Sequence, residues 1–181
     1  MKILAIAGSP RRKGNSNYLV DVALKAAEKL GAETEKIVLS DFKVAPCQGH
    51  NNCGSRDTCV QKDDANWILD RLCEADGVIF STPVYYYNVS AQLKALIDRT
   101  YFLYMHDRKP KSQAVGLIVV AESAGIEDTL HTLNQYVDET FSEKKVFTVS
   151  GYAGRCGEVK NNAGLVQEAE KLGRQMVEAL R

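Results

Sequence analysis

Short apolar runs alternate along this chain with segments of helical periodicity, and that alternation constrains the fold more than any other feature. The run "KILAIAG" (2–8) is apolar throughout and ends in glycine, as a strand buried on both faces should. Residues 15–30 then place Leu19, Val20, Ala23, Leu24, Ala27 and Leu30 at helical spacing, with Gly31 ready to stop the helix. Further strands are expected at 33–39, 77–83, 114–121 and 144–154. Further helices are expected over 63–73, capped by Asp63 or Asp64, and over 89–103, 127–141 and 165–180.

Strands that alternate with helices imply an α/β fold, a parallel sheet with helices on both faces in three doubly wound layers. Five strands suit the flavodoxin-like order 2-1-3-4-5, although alternation alone does not separate that order from a Rossmann half. No repeat or linker interrupts the 181 residues, so a single domain, 1–181, is expected. The one long irregular segment is 41–62, and loops of that length are uncommon unless functional or disordered.

In such a sheet, ligands sit beyond the carboxyl ends of the strands. The first strand ends in "GSPRRKGNSN" (8–17). Gly8 permits a tight turn, Ser9, Asn15, Ser16 and Asn17 offer short polar side chains, and Arg11, Arg12 and Lys13 add positive charge. The helix that follows points free N–H groups and its positive end at this loop, which makes a phosphate cradle. It is neither a Walker A loop nor a G-x-G-x-x-G loop, because five residues separate Gly8 from Gly14 and Asn15 follows. The plainer alternative is a polar turn with Ser9 or Asn15 as helix cap. After the third strand, Pro83 stiffens a turn that carries Tyr85, Tyr86 and Tyr87, flat faces suited to an aromatic ring. After the fourth strand comes a small-residue loop around Gly125. A phosphate loop, an aromatic wall and a small-residue loop on one sheet edge suit a flat ring with a phosphate tail.

Lys plus Arg and Asp plus Glu number 23 each, so no electrostatic pull toward nucleic acid or an anionic membrane is expected. No apolar run approaches the ~20 residues of a membrane span, and the opening run lacks a signal-peptide pattern. Five cysteines, an odd number, suggest thiols, ligands or core residues in a reducing cytoplasm rather than a disulfide framework. Cys73 falls on the apolar side of its helix and is expected in the core, while Cys156 in "YAGRCGE" is assigned no role.

Taken together, "GSPRRKGNSN", "PC…C…CVQKDD" and "ADGVIFSTPVYYYNVSAQLKALIDRT" resemble the NAD(P)H-dependent FMN reductases, and among them the iron–sulfur flavoprotein branch. The resemblance implies a flavodoxin-like FMN-binding domain that moves electrons from NAD(P)H to a small acceptor such as a quinone, flavin, nitro or azo compound, or to an electron-transfer protein. It implies that Ser9, Arg11, Asn15, Ser16 and Asn17 hold the FMN phosphate. Pro83, Val84, Tyr85, Tyr86, Tyr87 and Asn88 would run along the isoalloxazine and ribityl chain. Ser123, Ala124 and Gly125 would close the other side, although the family often has Gly-Gly where this chain reads Ala124-Gly125. The cofactor carries the redox chemistry, so no catalytic acid or base is assigned. A non-catalytic FMN-binding protein is the further alternative. A homodimer or homotetramer is implied, with the aromatic stretch "RTYFLYMHD" (99–107) as a candidate contact surface.

Iron–sulfur flavoproteins carry four closely spaced cysteines after the second strand, and this chain has Cys47, His50, Cys53 and Cys59 there. Three readings stand side by side. A four-iron cluster would use His50 as its fourth ligand or rest on three thiolates. A Cys3His zinc site is chemically familiar, but the six-residue steps fit zinc spacing poorly. The third reading is a loop that holds no metal.

Overall fold

A computed structural model describes residues 1–50 and 52–181. Asn51, inside the expected cysteine loop, lies outside them. Five parallel strands form one sheet: β1 (Lys2–Ala7), β2 (Glu33–Val38), β3 (Gly77–Pro83), β4 (Ala114–Ala121) and β5 (Lys145–Tyr152). Their order is 2-1-3-4-5, the flavodoxin-like order expected for five strands. Among the described residues six α-helices accompany them: α1 (Asn15–Glu28), α2 (Ala65–Glu74), α3 (Ala91–Arg99), α4 (Tyr101–Met105), α5 (Ile126–Thr140) and α6 (Ala163–Ala179).

The period-2 pleat sorts the strand side chains into two cores. Ile3 and Ala5 of β1, with Ile79, Ile118 and Val149, face α1 and α6. Leu4 and Ile6 point the other way, with Val78, Phe80, Leu117 and Val119, toward α2, α3, α4 and α5. Residues 3–7 of β1 have no exposed surface, so the central strand is hydrophobic on both faces. Helix α6 lies close on α1 because residue 173 is glycine: a Cβ there would sit 2.0 Å from the Ala23 carbonyl oxygen. No helix among the described residues is long and apolar enough to cross a membrane.

Element ends differ from the sequence expectation where local hydrogen bonds compete with periodicity. The expected helix 89–103 is two helices, α3 and α4, broken at Thr100. Helix α1 stops at Glu28, and Gly31, at φ +90°, turns the chain into β2. Neither Ser9 nor Asn15 caps α1: its N-cap is Gly14, which has no side chain to offer. Asp64 precedes α2, but the Asp63 carboxylate accepts from the Ala65 N–H at 3.2 Å.

Candidate functional site

The carboxyl ends of β1, β3, β4 and β5 meet at one edge of the sheet. Backbone contacts lock the first loop to the third. The Gly8 N–H donates to the Ser81 carbonyl at 2.7 Å. Ser90, the side-chain N-cap of α3, donates its hydroxyl back to the Gly8 carbonyl at 2.6 Å. A cavity of about 130 Å3 opens between the loops, lined by Ser9, Arg11, Gly14, Asn15, Ser16, Pro83, Val84, Tyr85, Val120, Glu122, Ala153, Gly154 and Cys156. Pockets for whole small-molecule ligands usually measure about 300–1,000 Å3. This volume therefore suits an anionic head and the start of its chain, with the rest lying along the open loops.

The first loop meets the demands of an anion. Ser9 is buried, and its hydroxyl accepts from the Arg11 N–H at 3.2 Å, which curls the loop. Asn17 donates to the Arg11 carbonyl at 2.9 Å. Helix α1 begins here without a side-chain cap, so its first-turn N–H groups and positive end face the cavity. Ser16 is 2 % exposed and its hydroxyl oxygen has no protein partner. A buried hydroxyl without a partner is costly, which makes it a group that a ligand should satisfy.

Asn15 departs from its expected role. Its amide donates to the carbonyls of Ala153 at 3.0 Å and Arg155 at 2.9 Å, and its carbonyl oxygen accepts from the Val159 N–H at 3.3 Å. The side chain is thus spent clamping the loop after β5. What Asn15 offers the cavity is its place in the first turn of α1.

The tyrosine loop is a tight turn. Tyr85 and Asn88 exchange backbone hydrogen bonds at 2.9 and 3.1 Å, and Tyr86 and Tyr87 between them have φ of +48° and +61°. Two successive left-handed residues make the geometry of a type I′ turn, which ordinarily selects Asn-Gly. Tyrosine there stores backbone strain of about 1–3 kcal/mol per residue, a device that clusters at ligand clamps. Tyr86 is 100 % exposed and Tyr87 61 %. Tyr85 lines the cavity, whereas Tyr86, Tyr87 and Asn88 border an open hollow on the far side with Glu127, Asp128 and His131. The Asn88 carbonyl oxygen of its side chain accepts from the Val89 N–H at 2.8 Å. Gly125, at φ +85°, nests under the turn, where a Cβ would fall 2.8 Å from the Tyr87 Cα. Ser123 and Ala124 are exposed beside it and do not line the cavity.

Beyond Gly14 of the first loop, five lining residues are absent from the expected site. Val120 lies in β4, Glu122 directly follows it, and Ala153, Gly154 and Cys156 follow β5. Only the glycine-rich run after the last strand hinted at them. A larger cavity, about 520 Å3, lies among α3, α4 and α5 around Tyr101, Tyr104 and Tyr136, and no expected site residue lines it.

The cysteine segment is closed at its neck by two carboxylates. Asp64 accepts from the Lys43 N–H at 2.7 Å, and Asp63 from the Ala45 N–H at 2.9 Å. Arg99, at the end of α3 and 2 % exposed, donates to Asp63 at 2.7 Å, to the Ala45 carbonyl at 3.2 Å and to the Cys59 sulfur at 3.3 Å. Burial pushes the Asp63 carboxyl up, but the Arg99 bond and the N–H groups of Ala45 and Ala65 outweigh it, and it sits below the usual carboxylate range. The other sulfurs have separate contacts. Cys53 donates to the His50 carbonyl at 3.2 Å, and Cys47 accepts from the Gly49 N–H at 3.5 Å. Among the described residues no three His, Cys, Asp or Glu side chains come together as a metal-holding group, so Cys47, His50, Cys53 and Cys59 share a loop without converging. Cys73, on α2, packs against the core as expected, and burial raises its thiol pKa.

Comparison with known proteins accords with this geometry. Residues 1–153 match the model of the NADPH-dependent FMN reductase family. An iron-sulfur flavoprotein of Archaeoglobus fulgidus is 35 % identical over 99 % of this chain and 80 % of its own length. One of Methanocaldococcus jannaschii is 34 % identical over 100 % of this chain and 98 % of its own length. Among solved structures, an NAD(P)H:quinone oxidoreductase from Methanothermobacter marburgensis superposes with a TM-score of 0.73 at 15 % identity, covering 97 % of this chain and 96 % of that one. That last likeness bears on the fold alone. By sequence and architecture the chain belongs to the NADPH-dependent FMN reductase family and is an NAD(P)H-dependent FMN oxidoreductase of flavodoxin-like fold.

Proposed function

We propose that the cavity at the start of α1 holds the phosphate of FMN and that the loaded protein passes electrons from NAD(P)H to a small oxidised acceptor. The Ser16 hydroxyl carries this reading: it is buried, unpartnered, in the first turn of an uncapped helix and part of the cavity wall. The residues present fit the group. Ser9, Ser16 and the N–H groups opening α1 would meet the phosphate, and Arg11 would balance its charge. The ring would lie along Pro83–Asn88, beside Ser123–Gly125. Bound FMN supplies the hydride and electron chemistry. The chain's own part is to bind the phosphate, orient the ring and keep one face open. The exposed tyrosine turn borders that face, which suits flat acceptors of the quinone, flavin, nitro or azo class. Purified protein should carry a flavin spectrum, or gain one on adding FMN, and should oxidise NAD(P)H when such an acceptor is present. A colourless protein that takes up no added FMN contradicts the reading.

A second reading is an electron-transfer module with a cluster on the cysteine loop, delivering to a protein partner. Three thiols on one loop and the names of the relatives favour it. The side-chain arrangement does not: Cys59 is engaged by Arg99, and the sulfurs do not converge. Iron and acid-labile sulfide on anaerobically reconstituted protein decide the matter, and the arrangement of the loop predicts values near zero. We place the protein in the cytoplasm, from its odd cysteine count, and propose a homodimer or homotetramer. The exposed Tyr101 and Tyr104, stacked at 5.9 Å, offer a contact surface.

A further inference from the structure

The fourth wall of the cavity carries a thiol that the FMN chemistry does not use. Cys156 is the most exposed of the five cysteines, the others being half-buried. Its side chain reaches across the sheet edge and donates to the Lys13 carbonyl of the phosphate loop at 2.9 Å. It lines the same cavity as Ser9, Ser16 and Arg11. The surroundings hold it there. Asn15 clamps Ala153 and Arg155 on one side, and Glu158 accepts from the N–H groups of Gly154 and Arg155 at 2.9 and 2.7 Å on the other. A second, independent observation marks this cavity as a ligand site, the 2 % exposed and unpartnered Ser16 hydroxyl in its wall.

We infer that Cys156 is a redox-modification site inside the phosphate cradle, where a mixed disulfide and FMN exclude one another. The inference rests on the reading that this cavity takes the FMN phosphate. The chemistry needs only a small disulfide such as oxidised glutathione as oxidant. The Cys156 thiol gives up its proton, its sulfur bonds one sulfur of the reagent, and the reagent's S–S bond breaks. The leaving thiolate takes the proton, so one thiol and one disulfide yield another thiol and a mixed disulfide. The product removes the S–H donor held by Lys13. It also places a bulky, carboxylate-bearing group in a cavity of about 130 Å3 that must accept a dianionic phosphate. Thiol reductants reverse it.

The test uses the full chain, with and without FMN. FMN binding is first measured by quenching of its fluorescence. Protein is then treated with iodoacetamide, and each cysteine is followed by peptide mass spectrometry. At FMN concentrations 100 times Kd, Cys156 should alkylate about 100-fold more slowly than in the apoprotein, because only the free fraction is open. The half-buried cysteines should change little. After treatment of the apoprotein with oxidised glutathione, FMN stoichiometry should fall in proportion to the fraction of Cys156 modified, and a reductant should restore it. Cys156→Ser should make FMN binding indifferent to the disulfide, whatever affinity the variant itself has. If FMN binds and Cys156 alkylates equally fast with and without it, the inference fails while the FMN reading stands. If FMN does not bind at all, both fail.

Discussion

Ser16 and Arg99 show at the scale of single residues how a buried polar group reveals its purpose by what it lacks or holds. The Ser16 hydroxyl has no protein partner, so its partner should come from a ligand. A hydrogen bond to a charged group contributes about 1.5–3 kcal/mol, so Ser16→Ala should weaken FMN binding by about tenfold or more. The fold should be unaffected, since no intramolecular bond is lost. Circular dichroism and an FMN titration on the same sample check both halves. Arg99 is the opposite case, a buried cation whose bonds to Asp63, Ala45 and Cys59 hold the cysteine segment. Arg99→Met leaves the Asp63 carboxylate buried without its counter-ion, held only by the Ala45 and Ala65 N–H groups, a change that costs about 3–5 kcal/mol in comparable pairs. Urea unfolding should show it directly.

The same pair sets an acid limit. In the folded protein Asp63 is held below its ordinary value, as is Asp76, chiefly by the Lys111 side chain and then by the Lys2 N–H. A carboxyl depressed on folding contributes its full stability above its unfolded pKa, about 3.9. That contribution is lost as pH falls from there through the lower folded value. Stability measured by urea between pH 6 and 3 should be level at first and then drop below about pH 4, and Arg99→Met should shrink the drop.

At the scale of elements, the turn between β3 and α3 trades stability for shape. Replacing Tyr86-Tyr87 by Asn-Gly gives the type I′ turn the residues it favours and relieves strain of about 1 kcal/mol or more. The double variant should melt higher, by about 2–4 °C per kcal/mol in a chain of this size, and turn over acceptor more slowly because the aromatic border is gone. A variant that melts lower shows that the turn is not strained. The turn is also where the sequence reading stopped short. "YYY" reads as an aromatic wall in any conformation, but consecutive positive φ values depend on the Tyr85–Asn88 backbone bonds and on Gly125 beneath them. Helix and strand identities were legible because apolar periodicity survives folding unchanged. The break at Thr100 was not, since the 89–103 stretch keeps its apolar residues across it.

The whole molecule explains which parts of the site a linear reading finds. Loops one and three carry their own chemistry in their residue types, so both could be picked out as candidate ligand loops before any fold. Asn15 was not legible in its role, because its partners Ala153 and Arg155 lie some 140 positions away and meet it only when β5 joins the sheet. Gly154 and Cys156 entered the cavity by the same route. The cysteine loop shows the reverse: its spacing suggested a ligand set, but the buried Arg99 from a distant helix takes one sulfur for itself. The proposed function turns on the uncapped end of α1 taking a phosphate. Parallel titrations of the apoprotein with FMN and riboflavin test this most directly, since the two differ only in that group. Two or more charged hydrogen bonds to the phosphate predict FMN to bind about 100-fold tighter or more, with Ser16→Ala narrowing the gap by weakening FMN alone. Equal affinities for the two flavins would contradict it.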